Sequence, residues 1–131
     1  MGNYNLKSDS GAKNHNVVLG RQLIIEYYDC DPKKLLVQDS VEQAFLDAAT
    51  QSGATIISSS FHTFNPHGIS GVVIIAESHF TVHIWPEYSY AAVDIFTCSN
   101  SIDLEKAMKL LKEFFCSENM VISSDINRGV L

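Results

Sequence analysis

Residues 71–85 read GVVIIAESHFTVHIW, two apolar runs that are separated by the polar segment Glu77-Ser78-His79. The runs are short and rich in β-branched residues, so they predict two buried strands that lie side by side. A connection this tight strains the peptide bond between Glu77 and Ser78 and places the serine hydroxyl beside the preceding carbonyl. A chain that cleaves itself needs this arrangement, and its new amino terminus then carries the chemistry.

Further strands and two helices are predicted on both sides of this pair. Asp39 or Ser40 is the expected N-cap of the first helix, because such side chains accept hydrogen bonds from free backbone amides. Ser101 or Asp103 is the expected N-cap of the second. The predicted helices run to about residues 51 and 116, and the predicted strands cover residues 19–28, 54–64, 69–76, 80–85, 90–98 and 120–126.

The order of these elements decides the fold class. It predicts an α/β (α+β) two-layer sandwich, in which a mostly antiparallel sheet carries two helices on one face. A chain of 131 residues with 46% hydrophobic residues suffices for a single packed domain, which we expect over residues 19–131. Residues 1–18 begin as a polar segment without the apolar core of a secretory signal, so they are expected to form a flexible tail.

Composition and charge argue against several classes of function. The net charge is −6 and the nine lysines and arginines are scattered, so no nucleic-acid partner is expected. No apolar run approaches the ~20 residues that span a bilayer, so no membrane partner is expected. The five histidines show no metal-binding spacing, and no metal is expected. Three widely spaced cysteines without a Cys-x-x-Cys pair are typical of the reducing cytoplasm.

Strand pairing can be predicted from the positions of the turns. Residues 86–89 are typical of a tight turn, which places His83 opposite Ala92 on the next strand. The same register places Cys98 opposite Glu77, at the mouth of the predicted cleavage site.

A second register follows if the chain reverses at the scissile bond. It pairs Val72 with His83. It likewise pairs Ser70 with Trp85. Because side chains alternate across a strand, Ser70, His83 and Cys98 then share one face of the sheet.

Two polar clusters result, Ser78 with Cys98 at one end of the strands and Ser70 with His83 at the other. They are about five residues apart, or roughly 15 Å along a strand. A general base must come within ~3 Å of the proton that it removes, so His83 cannot easily serve Ser78 of its own chain. We therefore expect a homodimer whose antiparallel protomers share their active sites.

One long block carries a family resemblance. Residues 68–88, GISGVVIIAESHFTVHIWPEY, and residues 90–98, YAAVDIFTC, resemble the bacterial and archaeal S-adenosylmethionine decarboxylase proenzymes. Three shorter matches are Gly20-Arg21-x-Leu23, Glu26-x-Tyr28-x-Cys30-Asp31 and Ser52-Gly53-Ala54. The similarity extends from about Leu19 onward.

The resemblance implies a pyruvoyl enzyme that matures by cutting itself. Ser78 would attack the carbonyl of Glu77, and His83 would remove the serine α-proton so that the chains separate. The products would be a β chain of residues 1–77 and an α chain of residues 78–131, which begins with a pyruvoyl group. Ser70 would support processing, and Cys98 would donate a proton during decarboxylation.

The resemblance also implies the substrate. The pyruvoyl group derived from Ser78 would form a Schiff base with S-adenosylmethionine, without pyridoxal phosphate, and release the aminopropyl donor for spermidine synthesis. Phe64 would stack on the adenine and Glu87 would bind the ribose hydroxyls. Two alternatives remain open: an arginine or ornithine decarboxylase on the same scaffold, and an uncleaved regulatory paralogue. Spacing alone gives His62, His67 and His79 no role.

Overall fold

The computed structural model of the protein describes residues 17–131. The sheet contains six strands: β1 (Val18–Tyr28), β2 (Ile56–Thr63), β3 (Ile69–Ile75), β4 (Ser78–Trp85), β5 (Tyr90–Thr97) and β6 (Asn119–Val130). The helices are α1 (Gln38–Gln51) and α2 (Leu104–Phe115), and short 3-10 turns cover Pro32–Leu35 and Pro86–Tyr88. Most of the tail predicted over residues 1–18 lies outside the described residues.

All neighbouring strands of the sheet are antiparallel, and their order is β2-β3-β4-β5-β1-β6. The two helices contact each other and cover one face, so the predicted two-layer sandwich is confirmed. Apolar residues alternate along the central strands and point into this covered face. The largest fully buried side chains form its core and include Tyr27, Phe45, Phe80 and Phe115.

Aromatic rings join the helices to the sheet. Phe45 of α1 and Phe115 of α2 meet edge to face, with ring centroids 6.1 Å apart. Phe115 also packs against Tyr27 of β1 at 5.3 Å, and the buried hydroxyl of Tyr27 donates to the Met108 carbonyl at 2.9 Å. Burying one such ring contributes about 1.5–3 kcal/mol, which makes this cluster a main source of stability.

The two helix N-termini differ from each other. Asp103 caps α2 as predicted, because its side chain accepts from the Lys106 amide at 3.0 Å. The predicted cap of α1 at Asp39 or Ser40 is wrong, since the helix already begins at Gln38 and Val37 occupies the cap position without a side-chain hydrogen bond. The first turn of α1 is instead held by Gln38, whose side chain donates to the Phe61 carbonyl of β2 at 3.1 Å.

The register between β4 and β5 is confirmed, with His83 opposite Ala92. The predicted register between β3 and β4 is wrong by two residues, because the chain turns at Ala76 and Glu77 rather than at the bond after Glu77. Ser70 therefore lies directly opposite His83 instead of Trp85. A shift of two residues preserves the side on which each side chain lies, so the shared face survives the correction.

The second face of the sheet carries no helix in the described chain, and we call it the open face. Exposed apolar side chains on it include Ile74, Trp85, Tyr28, Val121 and Ile126. Tyr28, Tyr90 and Trp85 form a continuous stack there, with centroid separations of 5.3 and 5.4 Å. None of the helices within residues 17–131 is long and apolar enough to cross a membrane.

Candidate active site

Ser70 and His83 form a hydrogen-bonded pair on the open face. The corrected register places them opposite each other on β3 and β4, and Ser70 Oγ lies 2.8 Å from His83 Nδ1. The hydroxyl fixes the orientation of the imidazole ring, so Nε2 is directed away from Ser70 and is the nitrogen that accepts a proton in the tautomer whose Nδ1–H donates to Ser70. This is the geometry of a general base with an orienting partner.

A cavity of about 230 Å³ adjoins this pair. Four of the residues predicted from the sequence line it, namely Phe64, Ser70, His83 and Glu87. It also contains His67, whose Nε2 lies 3.0 Å from Glu87 Oε1. Sequence reasoning gave His67 no role. Its signal was its place in the turn before β3, which the correct register aligns with the turn after β4 at one end of the sheet.

Ser78 lies at the opposite end of β4, where it opens the strand after the turn. Its φ of 140° lies outside the ordinary range of a non-glycine residue, and such a conformation stores on the order of 1–3 kcal/mol. The carbonyl of the preceding Glu77 accepts a hydrogen bond from the Cys98 amide at 2.8 Å. The predicted juxtaposition of Cys98 and Glu77 is therefore present, through the backbone of Cys98.

The Glu77 side chain fixes the turn from its other side. Its Oε1 accepts the Thr55 amide at 3.0 Å, and the Ala76 amide donates to the Thr55 carbonyl at 2.8 Å. The Thr55 amide favours the ionised form and lowers the pKa of Glu77 below its ordinary value. Neither contact could be read from the sequence, since Thr55 is distant along the chain.

A polar network holds the residue that follows Ser78. His79 Nε2 lies 2.9 Å from Asp94 Oδ2, and the second oxygen of Asp94 accepts from Gln22 Nε2 at 2.7 Å. Arg128 in turn donates to the Gln22 side chain. The network crosses β4, β5, β1 and β6. Side-chain contacts therefore connect the start of β4 to three other strands, in addition to its backbone pairing.

Cys98 follows β5 and is exposed on the rim of a second cavity, of about 550 Å³. Residues 17–21 and 99–100 also line this cavity. The Ser78–Cys98 end and the Ser70–His83 end are not brought together within one chain. They remain separated by the five residues from Ser78 to His83, roughly 15 Å along β4.

Within the described residues, no group of three or more His, Cys, Asp or Glu side chains is arranged to hold a metal ion.

Comparison with known proteins adds independent findings. A family model described as S-adenosylmethionine decarboxylase matches residues 21–129. A protein of Thermosipho africanus named S-adenosylmethionine decarboxylase proenzyme is 52% identical over 102 residues, 78% of this chain and 78% of its own length. A Pseudomonas aeruginosa protein of the same name is 50% identical over 113 residues, 86% of this chain and 70% of its own length.

A solved structure also matches the fold. The crystal structure of an adenosylmethionine decarboxylase from Aquifex aeolicus superposes with a TM-score of 0.80 at 29% sequence identity. The match covers 87% of this chain and 93% of that one.

Proposed function

This chain belongs to the S-adenosylmethionine decarboxylase family, and from that premise we propose that it decarboxylates S-adenosylmethionine through a pyruvoyl group made from its own Ser78. The observation that carries the proposal is the scissile turn, where a strained serine follows a carbonyl that already accepts a hydrogen bond. The product is the aminopropyl donor for spermidine synthesis. The free thiols at Cys98 and Cys116 support a cytoplasmic location.

Self-cleavage begins at the Glu77 carbonyl. The Cys98 amide at 2.8 Å polarises this carbonyl and stabilises the negative charge that develops on its oxygen during attack. Ser78 Oγ bonds to the carbonyl carbon, the C–N bond breaks, and the hydroxyl proton passes to the released amine. Cleavage relieves the backbone strain at Ser78, which favours the forward step.

His83 acts next as the base. It removes the α-proton of Ser78, and the bond between Cβ and the ester oxygen breaks. Residue 77 leaves with this oxygen in its new α-carboxylate, and the two chains separate. Ser70 holds the imidazole in the required orientation through its 2.8 Å hydrogen bond. Hydrolysis then releases ammonia and leaves a ketone at the amino terminus of the α chain.

The surroundings of Ser78 fit a pyruvoyl group. After the bond to residue 77 is cut, the start of β4 is still held by its strand pairing and by the His79–Asp94 hydrogen bond. The pyruvoyl group supplies a carbonyl that takes the substrate amine and accepts electrons as carbon dioxide leaves. Cys98 delivers the proton that replaces the lost carboxylate. Phe64 stacks on the adenine, and Glu87 accepts hydrogen bonds from the ribose hydroxyls.

The separation of the two ends supports a homodimer. His83 and Ser70 of one protomer reach Ser78 and Cys98 of the other when two chains meet in antiparallel orientation. The open face supplies a suitable surface, because its exposed apolar side chains and its aromatic stack remain uncovered in the single chain.

Intact mass and turnover together test the proposal. Purified wild type is expected to give two fragments, residues 1–77 and residues 78–131. Ser78→Ala is expected to remain one uncut, inactive chain. Carbon dioxide release is then measured from S-adenosylmethionine, arginine and ornithine side by side. Uncut wild type would support a regulatory protein, and release from arginine alone would assign the other substrate.

A further inference from the structure

We propose that His67 is a positioning residue, which orients the Glu87 carboxylate so that one of its oxygens is free for the ribose of the substrate. The inference rests on the proposed function, because it assigns a specificity element to the same cavity. His67 contacts Glu87 and acts on the substrate only through this carboxylate.

The two residues approach each other from separate turns. His67 belongs to the turn between β2 and β3, and Glu87 to the 3-10 turn between β4 and β5. The first turn is closed by the Phe64 amide, which donates to the Gly68 carbonyl at 2.8 Å. The second is anchored by the buried Pro86. The His67–Glu87 contact is thus a bridge between two turns that are each fixed independently.

The contact uses only one of the two oxygens of the Glu87 carboxylate. His67 Nε2 lies 3.0 Å from Glu87 Oε1, and an ionised carboxylate oxygen can only accept hydrogen bonds. Oε2 has no side-chain partner among the described residues, and both side chains are 41% exposed at the cavity. Without His67, Glu87 would sample several rotamers, and binding would have to offset that conformational entropy.

The ring of Phe64 lies in the same cavity and is 48% exposed. A base stacked on this ring brings its attached ribose toward the rim, where the turn that carries Glu87 is located. Stacking tolerates many bases, whereas a fixed carboxylate recognises vicinal hydroxyls. His67 therefore contributes to the selection of a nucleoside substrate over a plain amino acid.

The variants can be made without loss of the fold. A single exposed polar contact contributes only about 0–1 kcal/mol to stability, so His67→Ala should fold and mature normally. His67→Gln is the matched variant, because its side-chain amide can still donate to the carboxylate. Two substrates are compared for each protein: S-adenosylmethionine and the analogue that lacks both ribose hydroxyls.

For S-adenosylmethionine, His67→Ala is expected to raise KM about five- to tenfold with kcat unchanged, and His67→Gln should restore most of the loss. With the analogue, wild type already has a raised KM, and His67→Ala should add nothing further. An equal rise with both substrates, or no rise with either, would overturn the inference. If wild type matures but decarboxylates only arginine, the proposed function fails as well, so the two failures are distinguishable.

Discussion

At residue 77 one amino acid supplies both the carbonyl at which we propose cleavage and the carboxylate that holds the turn in place. The Thr55 amide donates to this carboxylate and lowers its pKa. A lowered pKa in the folded state means that the contact is complete above the ordinary carboxylate range and is lost as the pH falls through the lowered value. At neutral pH the turn is therefore fully held.

Substitution of Glu77 tests this dual role. Glu77→Gln keeps an oxygen that accepts from Thr55, so its maturation should proceed nearly as in wild type. Glu77→Ala loses the acceptor, and we expect about tenfold slower cleavage because the scissile carbonyl is then less firmly placed. Intact mass of freshly translated protein over time measures the rate. Equal rates for both variants would show that the side chain does not hold the turn.

The cysteines differ sharply in their surroundings. Burial raises the pKa of Cys30 to about 11, and its thiol donates to the Tyr27 carbonyl. Such a group favours the fold below the ordinary thiol pKa, and this contribution is lost as the pH rises toward 11. Cys116 is exposed after α2. Iodoacetamide at pH 8 should therefore label the exposed thiols Cys98 and Cys116 in native protein and leave Cys30 unmodified, and urea should abolish the difference. Labelling of Cys30 in the native state would contradict its burial.

At the scale of elements, local signals predicted most of the fold. Apolar runs, β-branched residues and turn signals predicted all six strands, and the tight turn predicted at residues 86–89 gave the β4–β5 register correctly. The β3–β4 register could not be fixed in this way, since Ala76, Glu77 and Ser78 are all acceptable in a short turn. The deciding contacts come from Thr55 and Cys98, which sequence spacing does not bring together.

The same limit applies to the site. Ser70 and His83 could be assigned to one face by strand parity, but their direct hydrogen bond and the contact of His67 with Glu87 required the corrected register. Strand order also lay beyond local signals. The position of β1 between β5 and β6 follows from tertiary pairing of the two chain ends.

β2 and β3 pack so closely at Gly71 that a larger residue there should destabilise the protein. A methyl group on Gly71 would overlap the ring of Phe61, which packs 6.2 Å from Phe45 of α1. Gly71→Ala should therefore destabilise the protein by about 1–3 kcal/mol, as measured by urea unfolding. In a Phe61→Leu background the same substitution should cost clearly less, because the overlapping ring is gone. Equal costs in both backgrounds would mean that Phe61 is not the obstacle.

At the scale of the whole molecule, the sheet separates the two halves of the proposed site by roughly 15 Å, with Ser78 and Cys98 at one end and Ser70 and His83 at the other. A sheet is too stiff to fold back on itself, so one chain cannot close this gap by a local adjustment. The proposed homodimer joins the half-sites by symmetry, and it also covers the exposed apolar residues of the open face.

Coexpression of two inactive chains tests this arrangement. His83→Ala retains Ser78 but lacks the base, and Ser78→Ala retains the base but cannot be cut, so each should remain uncut alone. In mixed dimers the intact His83 of one chain faces the intact Ser78 of the other. With equal expression and random pairing, about half of the His83→Ala chains should then be cleaved. Chains tagged at one carboxyl terminus allow intact mass to identify which variant is cut. If the His83→Ala chains stay whole in isolated mixed dimers, His83 does not act across an interface, and the shared site is wrong.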